Sequence, residues 1–304
     1  MPSWFFIGWG FCKICLSVWL DRGLESDSAM MRAHKYTVIA ERRHKSIAER
    51  RMATDINTMV ETLESILRPD DFRDYCPNGL QIEGRDKISK LVSGVTASQA
   101  LLEAAVAENA DAILVHHGYF WQGEKAEITG IKRHRIKTLL ENDISLLAYH
   151  LPLDAHQEFG NNVQLGKQLD FEISGELYPR HKSKVGVTGM LTRPCSAEEL
   201  ISHIRIRLQR EPMHVAGHAE VIRTIAWCTG SAQNLIERAY ELGADAYLSG
   251  EVSEQTVHFA REAGIHFFAA GHHATERYGV KSLGTYLAEK FELEHVFIDI
   301  DNPV

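Results

Sequence analysis

The stretch Asp111-Ala-Ile-Leu-Val-His-His-Gly-Tyr-Phe120 decides how this chain is read. Ala112 to Val115 is a short apolar run rich in β-formers, which fits a strand buried on both faces. In open α/β sheets, ligands sit just beyond the carboxyl ends of such strands, where His116 and His117 stand. Adjacent side chains on an extended chain point to opposite sides. The pair can therefore serve two cations, or one cation and one outer contact. Taken alone, the pair reads equally well as two turn histidines with satisfied hydrogen bonds.

Working outward, Ser98 to Glu108 has helical spacing and leads into this strand. Ile88 to Val95 and Leu80 to Glu83 read as strands, and Thr54 to Leu67 as an amphipathic helix capped by Thr54 or Asp55. Downstream, Gly130 to Leu140 reads as a helix carrying Lys132, Arg133, Arg135 and Lys137, where phosphate contacts are expected if the substrate is anionic. Ile144 to Tyr149 is a second buried strand ending at a histidine, in His150-Leu-Pro-Leu-Asp154. Ile265 to Ala270 is a third, ending at Gly271-His-His-Ala-Thr-Glu276 and followed by a long helix to about Phe291. Val296 to Ile300 reads as a last strand.

The chain also repeats itself. A shift of 134 positions places Gln99, Leu101, Glu103, Ala105, Ala110-Asp-Ala112 and Leu114 on identical residues, from Gln233 to Leu248. Both copies read strand–helix–strand, the parallel crossover unit. The expected fold class is α/β: two related α/β halves, with mainly parallel sheets, facing each other across a metal-binding cleft. The halves are expected at 52–170 and 223–304, with 171–222 as an intervening segment or small insertion. His203, His214 and His218 in or beside it are read as surface histidines.

Composition narrows the function class. The 304 residues are enough for a sizeable core, and the formal charge of −8 argues against the usual basic nucleic-acid footprint. Five scattered cysteines make a disulfide framework a poor fit and point to a reducing, cytoplasmic compartment. Residues 1–51 read differently. Trp4 to Leu20 is apolar but lacks the flanks of a signal peptide and is short for a membrane span. Cys12 and Cys15 have no nearby partner pair to complete a zinc site. The expectation is a non-native or unstructured extension, with an interfacial anchor as the alternative.

His116, His117, Asp154, His272 and Glu276 together give three imidazoles and two carboxylates at the ends of repeated strands. That mixed nitrogen and oxygen set suits Zn, Fe, Mn, Co or Ni and is wrong for an all-oxygen Mg or Ca cage. Five ligands exceed the need of one tetrahedral ion, and a bridging Glu276 lets them hold two divalent ions. His272 and Glu276, at i and i+4, share one face of a helix start. His273 is expected to point away, and His150 to orient a ligand from outside.

The motifs Tyr75-Cys-Pro-Asn-Gly-Leu-Gln-Ile-Glu-Gly84, Val115-His-His-Gly-Tyr-Phe-Trp121, His150-Leu-Pro-Leu-Asp-Ala-His156, Gly250-Glu-Val-Ser-Glu254 and Gly271-His-His-Ala-Thr-Glu-Arg277 resemble one known family. It is that of the GTP cyclohydrolase 1 type 2 homologues, dinuclear-metal-centre proteins related to the NGG-interacting factor. The resemblance spans about Asp55 to Val304. It implies the same five metal ligands, two ions between the halves, and a toroidal homohexamer. It also implies a metal-dependent hydrolase of a nucleotide-like substrate, opening the purine ring of GTP. Glu251 is then a candidate proton shuttle. The alternatives are a metal-binding or delivery protein without turnover, and an oligomeric regulatory scaffold.

Overall fold

The computed structural model describes residues 53–178 and 185–304, so the expectations for residues 1–51 lie outside the described residues. Met52 to Val304 form one compact unit. Its first part runs β1 (Thr54–Asp55), α1 (Ile56–Leu67), β2 (Gly79–Ile82), β3 (Lys87–Ile88), β4 (Lys90–Thr96), α2 (Gln99–Ala107), β5 (Ala112–His117), α3 (Gly130–Glu141), β6 (Ser145–Ala148), α4 (Leu151–Asp154) and α5 (Asn161–Gln168). The second runs β7 (Phe171–Glu176), β8 (Val187–Cys195), α6 (Ala197–Leu208), β9 (Met213–Val215), β10 (Ile222–Cys228), α7 (Ile236–Glu241), β11 (Ala246–Ser249), α8 (Glu254–Ala263), β12 (His266–Ala269), α9 (His272–Phe291) and β13 (Glu294–Phe297).

The helices begin where the sequence offers caps. Asp55 accepts from the Asn57 amide at the start of α1, and Ser98 from the Leu101 amide at α2. Ser196 and Glu199 close a reciprocal capping box at α6.

Two sheets carry the fold. One has five strands in the order β13-β4-β5-β6-β2, with β13, β4, β5 and β6 parallel and β2 antiparallel at the edge. The other has six, in the order β7-β8-β10-β11-β12-β9, with a parallel β10-β11-β12 centre flanked by antiparallel strands. Each sheet is buried on both faces, which is why its central strands read as unbroken apolar runs. Leu91, Leu114 and Leu147 pack toward α1 and α9, while Val92, Ile113 and Leu146 pack toward α2 and α3. In the second sheet Ile225, Trp227 and Leu248 face α5 and α6, and Ala226, Tyr247 and Phe267 face α7 and α8.

The internal repeat survives at the level of register. Leu91 pairs with Ala112 and Ala112 with Ser145 in the first sheet; Ile225 pairs with Ala246 and Ala246 with His266 in the second. One brace recurs at the same shift. Asp111 Oδ2 accepts from the amides of Ser89 and Lys90 at 2.8 and 2.9 Å. Asp245 Oδ2 accepts from those of Arg223 and Thr224 at 2.9 Å each.

The expected division of the chain needs two corrections. Segment 171–222 is no separate insertion: β7, β8 and β9 are strands of the six-stranded sheet, extending its parallel centre on both sides. Segment 223–304 is not purely the second half either. Val280, Leu283 and Leu287 of α9 pack on the first sheet, and β13 pairs with β4. The last strand also lies earlier than expected, at Glu294–Phe297 rather than 296–300. Among the described residues, no helix is long and apolar enough to cross a membrane.

Candidate metal centre

His116 and His117 close β5, Asp154 ends the single turn of α4 behind β6, and His272 and Glu276 lie in the opening turns of α9 behind β12. Gly271, at φ 98°, makes the sharp exit from β12 that starts α9 there. All five side chains expected from sequence come together. Among these five, two groups have donor atoms within 4.8 Å of one another: His116, Asp154 and Glu276, and His117, His272 and Glu276; His150 forms a further group of the same reach with His116 and His117, and another with Asp74 and Cys76. Glu276 is common to both. His116 and His117 do not diverge as neighbours on a regular strand would; their ring centroids are 4.6 Å apart at the strand end.

The outward ring nitrogens are already spoken for. His116 Nδ1 donates to the Tyr149 carbonyl at 2.9 Å, and His117 Nδ1 shares a hydrogen bond with the Thr96 hydroxyl at 3.1 Å. His272 Nδ1 donates to Glu251 Oε1 at 2.7 Å. Each ring therefore turns Nε2 inward. His116 Nε2 is 3.4 Å from Asp154 Oδ1, His117 Nε2 is 3.2 Å from Glu276 Oε2, and His272 Nε2 is 3.1 Å from the same oxygen. Yet His116 Nε2 and Glu276 Oε2 are buried without a hydrogen-bond partner. Ligands at the usual Zn–N and Zn–O lengths stand about 3.0–3.4 Å apart along the edges of a coordination polyhedron. The donor spacing and the orphaned inward atoms fit a cation better than a hydrogen-bond network.

The electrostatics agree. Burial opposes a charge on Glu276, yet the imidazoles of His116 and His117 hold its carboxyl well below the ordinary range. Burial, with the nearby Glu276 charge, pushes the Asp154 carboxyl up, although His116 opposes this. Against burial, Asp154 and Glu276 raise His116 to about 9, and Glu276 and Glu251 raise His272 to about 9. Burial lowers His117 to about 3. Two carboxylates packed in a dry site call for positive charge, which protons on the imidazoles supply when no metal does.

Space for the cluster comes from Gly230, which sequence reasoning passed over. Its φ is 67°, and a Cβ there would collide with Glu276 Oε1. Asp154 is fixed by Asn161 Nδ2 at 2.9 Å, another residue with no local signal. Glu251, expected as a proton shuttle, is engaged at both oxygens, by His272 Nδ1 and by the Ser231 hydroxyl at 3.1 Å. Its geometry is that of a carboxylate orienting an imidazole.

His273 points away, its Nε2 bonded to Asp299 Oδ1 at 2.7 Å. His214 is not a free surface group; it stacks on His266 and Phe268. A cavity of about 780 Å³ opens beside the centre, with His117, His272, Glu276, Trp121 and His150 in its wall. The basic face of α3 is not there. Lys132 bonds to Glu124 and Lys137 to Glu141, and among the described residues no Lys or Arg lines the cavity.

Comparison with known proteins gives the same assignment throughout. The profile of Duf34/NIF3 (NGG1p interacting factor 3) matches residues 54–303. A Pseudomonas aeruginosa protein named GTP cyclohydrolase 1 type 2 homolog is 57% identical over 252 residues, covering 83% of this chain and 100% of its own length. Its Escherichia coli K12 namesake is 53% identical over 231 residues, covering 76% and 92%. The solved structure of protein ybgI, described as of unknown function, superposes with a TM-score of 0.79 at 49% identity, over 83% of this chain and 100% of that one. A structure from Thermus thermophilus gives 0.72 at 31% identity, over 83% and 100%. The chain belongs to the Duf34/NIF3 family.

Proposed function

We propose that this protein is a dinuclear-metal-dependent hydrolase acting on a nucleotide-like small molecule, with the two α/β halves facing each other across the cavity. The observation that carries the reading is the convergence of three Nε2 atoms on two buried carboxylates while each Nδ1 is pinned from outside. In this reading His116, Asp154 and Glu276 hold one divalent ion, and His117, His272 and Glu276 the other. A pair of such ions polarises a substrate oxygen and makes water nucleophilic near neutral pH. Glu251 keeps the His272 ring aimed, and the Thr96 hydroxyl does the same for His117. The name carried by the relatives points to a purine nucleotide and ring opening as the reaction class. By the same resemblance, six subunits form a ring, which light scattering on the purified protein would detect as a single hexameric species.

The test is turnover of GTP and related nucleotides by metal-loaded protein, compared with His116→Ala and Glu276→Ala. Metal content and turnover should fall together, turnover by at least about a hundredfold. Activity that survives both substitutions would refute the assignment. The second reading is metal binding or delivery without turnover, which the same five donors would serve. Full metal loading with no hydrolysis across the panel would select it.

A further inference from the structure

Beside the metal residues, the cavity wall carries a second constructed feature. Asp74 is nearly buried and accepts four hydrogen bonds. The Tyr75 amide and His150 Nδ1 reach Oδ1 at 2.6 and 2.7 Å; Asn78 Nδ2 and the Leu151 amide reach Oδ2 at 2.9 Å each. The Asn78 carboxamide oxygen accepts from the His150 amide at 2.7 Å. The His150 ring is thus held from the backbone and from Nδ1 together. With Nδ1 engaged by that carboxylate, Nε2 is the ring nitrogen left to meet a ligand. The ring lines the cavity, and its donor atom lies within 4.8 Å of those of His116 and His117.

The His116 and His117 rings lie 5.0 and 5.8 Å from the His150 ring, and two larger aromatic rings flank it on the cavity side. Trp121 meets His150 edge-on at 5.0 Å, and Tyr75 lies 6.4 Å away, 59% exposed at the cavity rim. Their loops are tied to each other. The Gln122 amide donates to the Tyr75 carbonyl at 2.6 Å. Gln81 accepts from the Tyr119 amide and donates to the carbonyls of Pro77 and Tyr119. Trp121 Nε1 donates to the Gly118 carbonyl at 3.2 Å, so its polar edge is satisfied. Phe120 just before it holds φ at 65°, a conformation that costs energy in a residue with a side chain. Core packing does not account for an exposed tyrosine clamped beside a strained loop and an oriented acceptor.

We propose that Tyr75, Trp121 and His150 form the recognition wall for a planar nitrogen heterocycle bearing a ring N–H. The rings stack on the heterocycle, and His150 Nε2 accepts its N–H. Asp74 is a positioning residue, fixing which imidazole nitrogen faces the ligand. This deepens the hydrolase reading and rests on it for the cavity as substrate site.

Calorimetric titration of metal-loaded protein with inosine, uridine, their ring-N-methylated forms and ribose 5-phosphate tests the wall, with metal content measured on the same samples. The wild type should bind at least one N–H nucleoside about tenfold or more tightly than its N-methyl form. Trp121→Ala should weaken binding about ten- to hundredfold, and Trp121→Phe should restore most of it. His150→Phe should abolish the preference for the N–H form while keeping the metal content. Nucleoside binding that is absent in the metal-replete wild type, or unchanged in Trp121→Ala, would overturn the proposal. So would displacement of inosine by ribose 5-phosphate, or loss of metal from His150→Phe, which would make that ring a ligand instead. A wild type that takes up no metal would refute the metal centre on its own, and the titration would still decide the wall.

Discussion

Glu276 stands in both groups of donors, and the residues around it set how the centre responds to change. Glu251→Gln removes the carboxylate that aims His272 and should weaken metal binding about 10–100-fold, read by chelator competition. Gly230→Ala puts a Cβ against Glu276 at a positive φ; it should destabilise the fold by about 1–3 kcal/mol in denaturant melts and lower metal content. The pH response should reverse sign with loading. Without metal, His116 and His272 are raised to about 9, so their pairing with the carboxylates stabilises fully below about 6.5. That contribution is lost as pH climbs through about 9, and the Tm of chelator-treated protein should fall across this window. Metal needs the same rings neutral, so metal affinity should instead rise with pH over the same range. A metal-free Tm that increases from pH 6.5 to 9 would contradict this account.

At the scale of elements, the paired aspartates are the clearest case of sequence foretelling geometry. Asp111 and Asp245 fall on each other in the repeat, and each braces two consecutive amides of the preceding strand. Replacing either by Ala leaves those amides unpaired and should cost about 1–3 kcal/mol, measurable by urea denaturation. Strands β5, β6 and β12 were legible because burial on both faces leaves only apolar residues, and their ends were legible because histidines interrupt the run. Strands β7 and β9 were not. Phe171–Glu176 exposes most of its residues, and Met213–Val215 has only three. The five clustered side chains stood out by type and place. Asp74, Asn161 and Gly230 did not, because each acts on a partner far away in sequence: His150, Gly279 of α9 and Glu276.

Across the whole molecule, the chain leaves the first sheet through α5, builds the second, and returns through α9 to place β13 against β4. This return was hidden from the sequence, since the periodicity of α9 gives a buried face without naming the sheet it meets. Ending the chain after Phe291 strips β13 from β4 and uncovers an edge of buried strand. Such a truncation should aggregate or lose cooperativity on heating, whereas removal of Asn302 to Val304 leaves β13 paired and costs the hydrogen bonds from the His273 amide and Arg210 to the carbonyls of Val304 and Pro303, so the transition should stay cooperative.

The return of α9 also orders events during synthesis. His116, His117 and Asp154 are made early, but the side chain common to both donor groups is Glu276, which emerges only with α9. A nascent polypeptide still short of that helix has imidazoles to offer and no bridge between them. On the proposed dinuclear reading, loading with ions is a late step, open only once the ribosome has delivered nearly the entire chain.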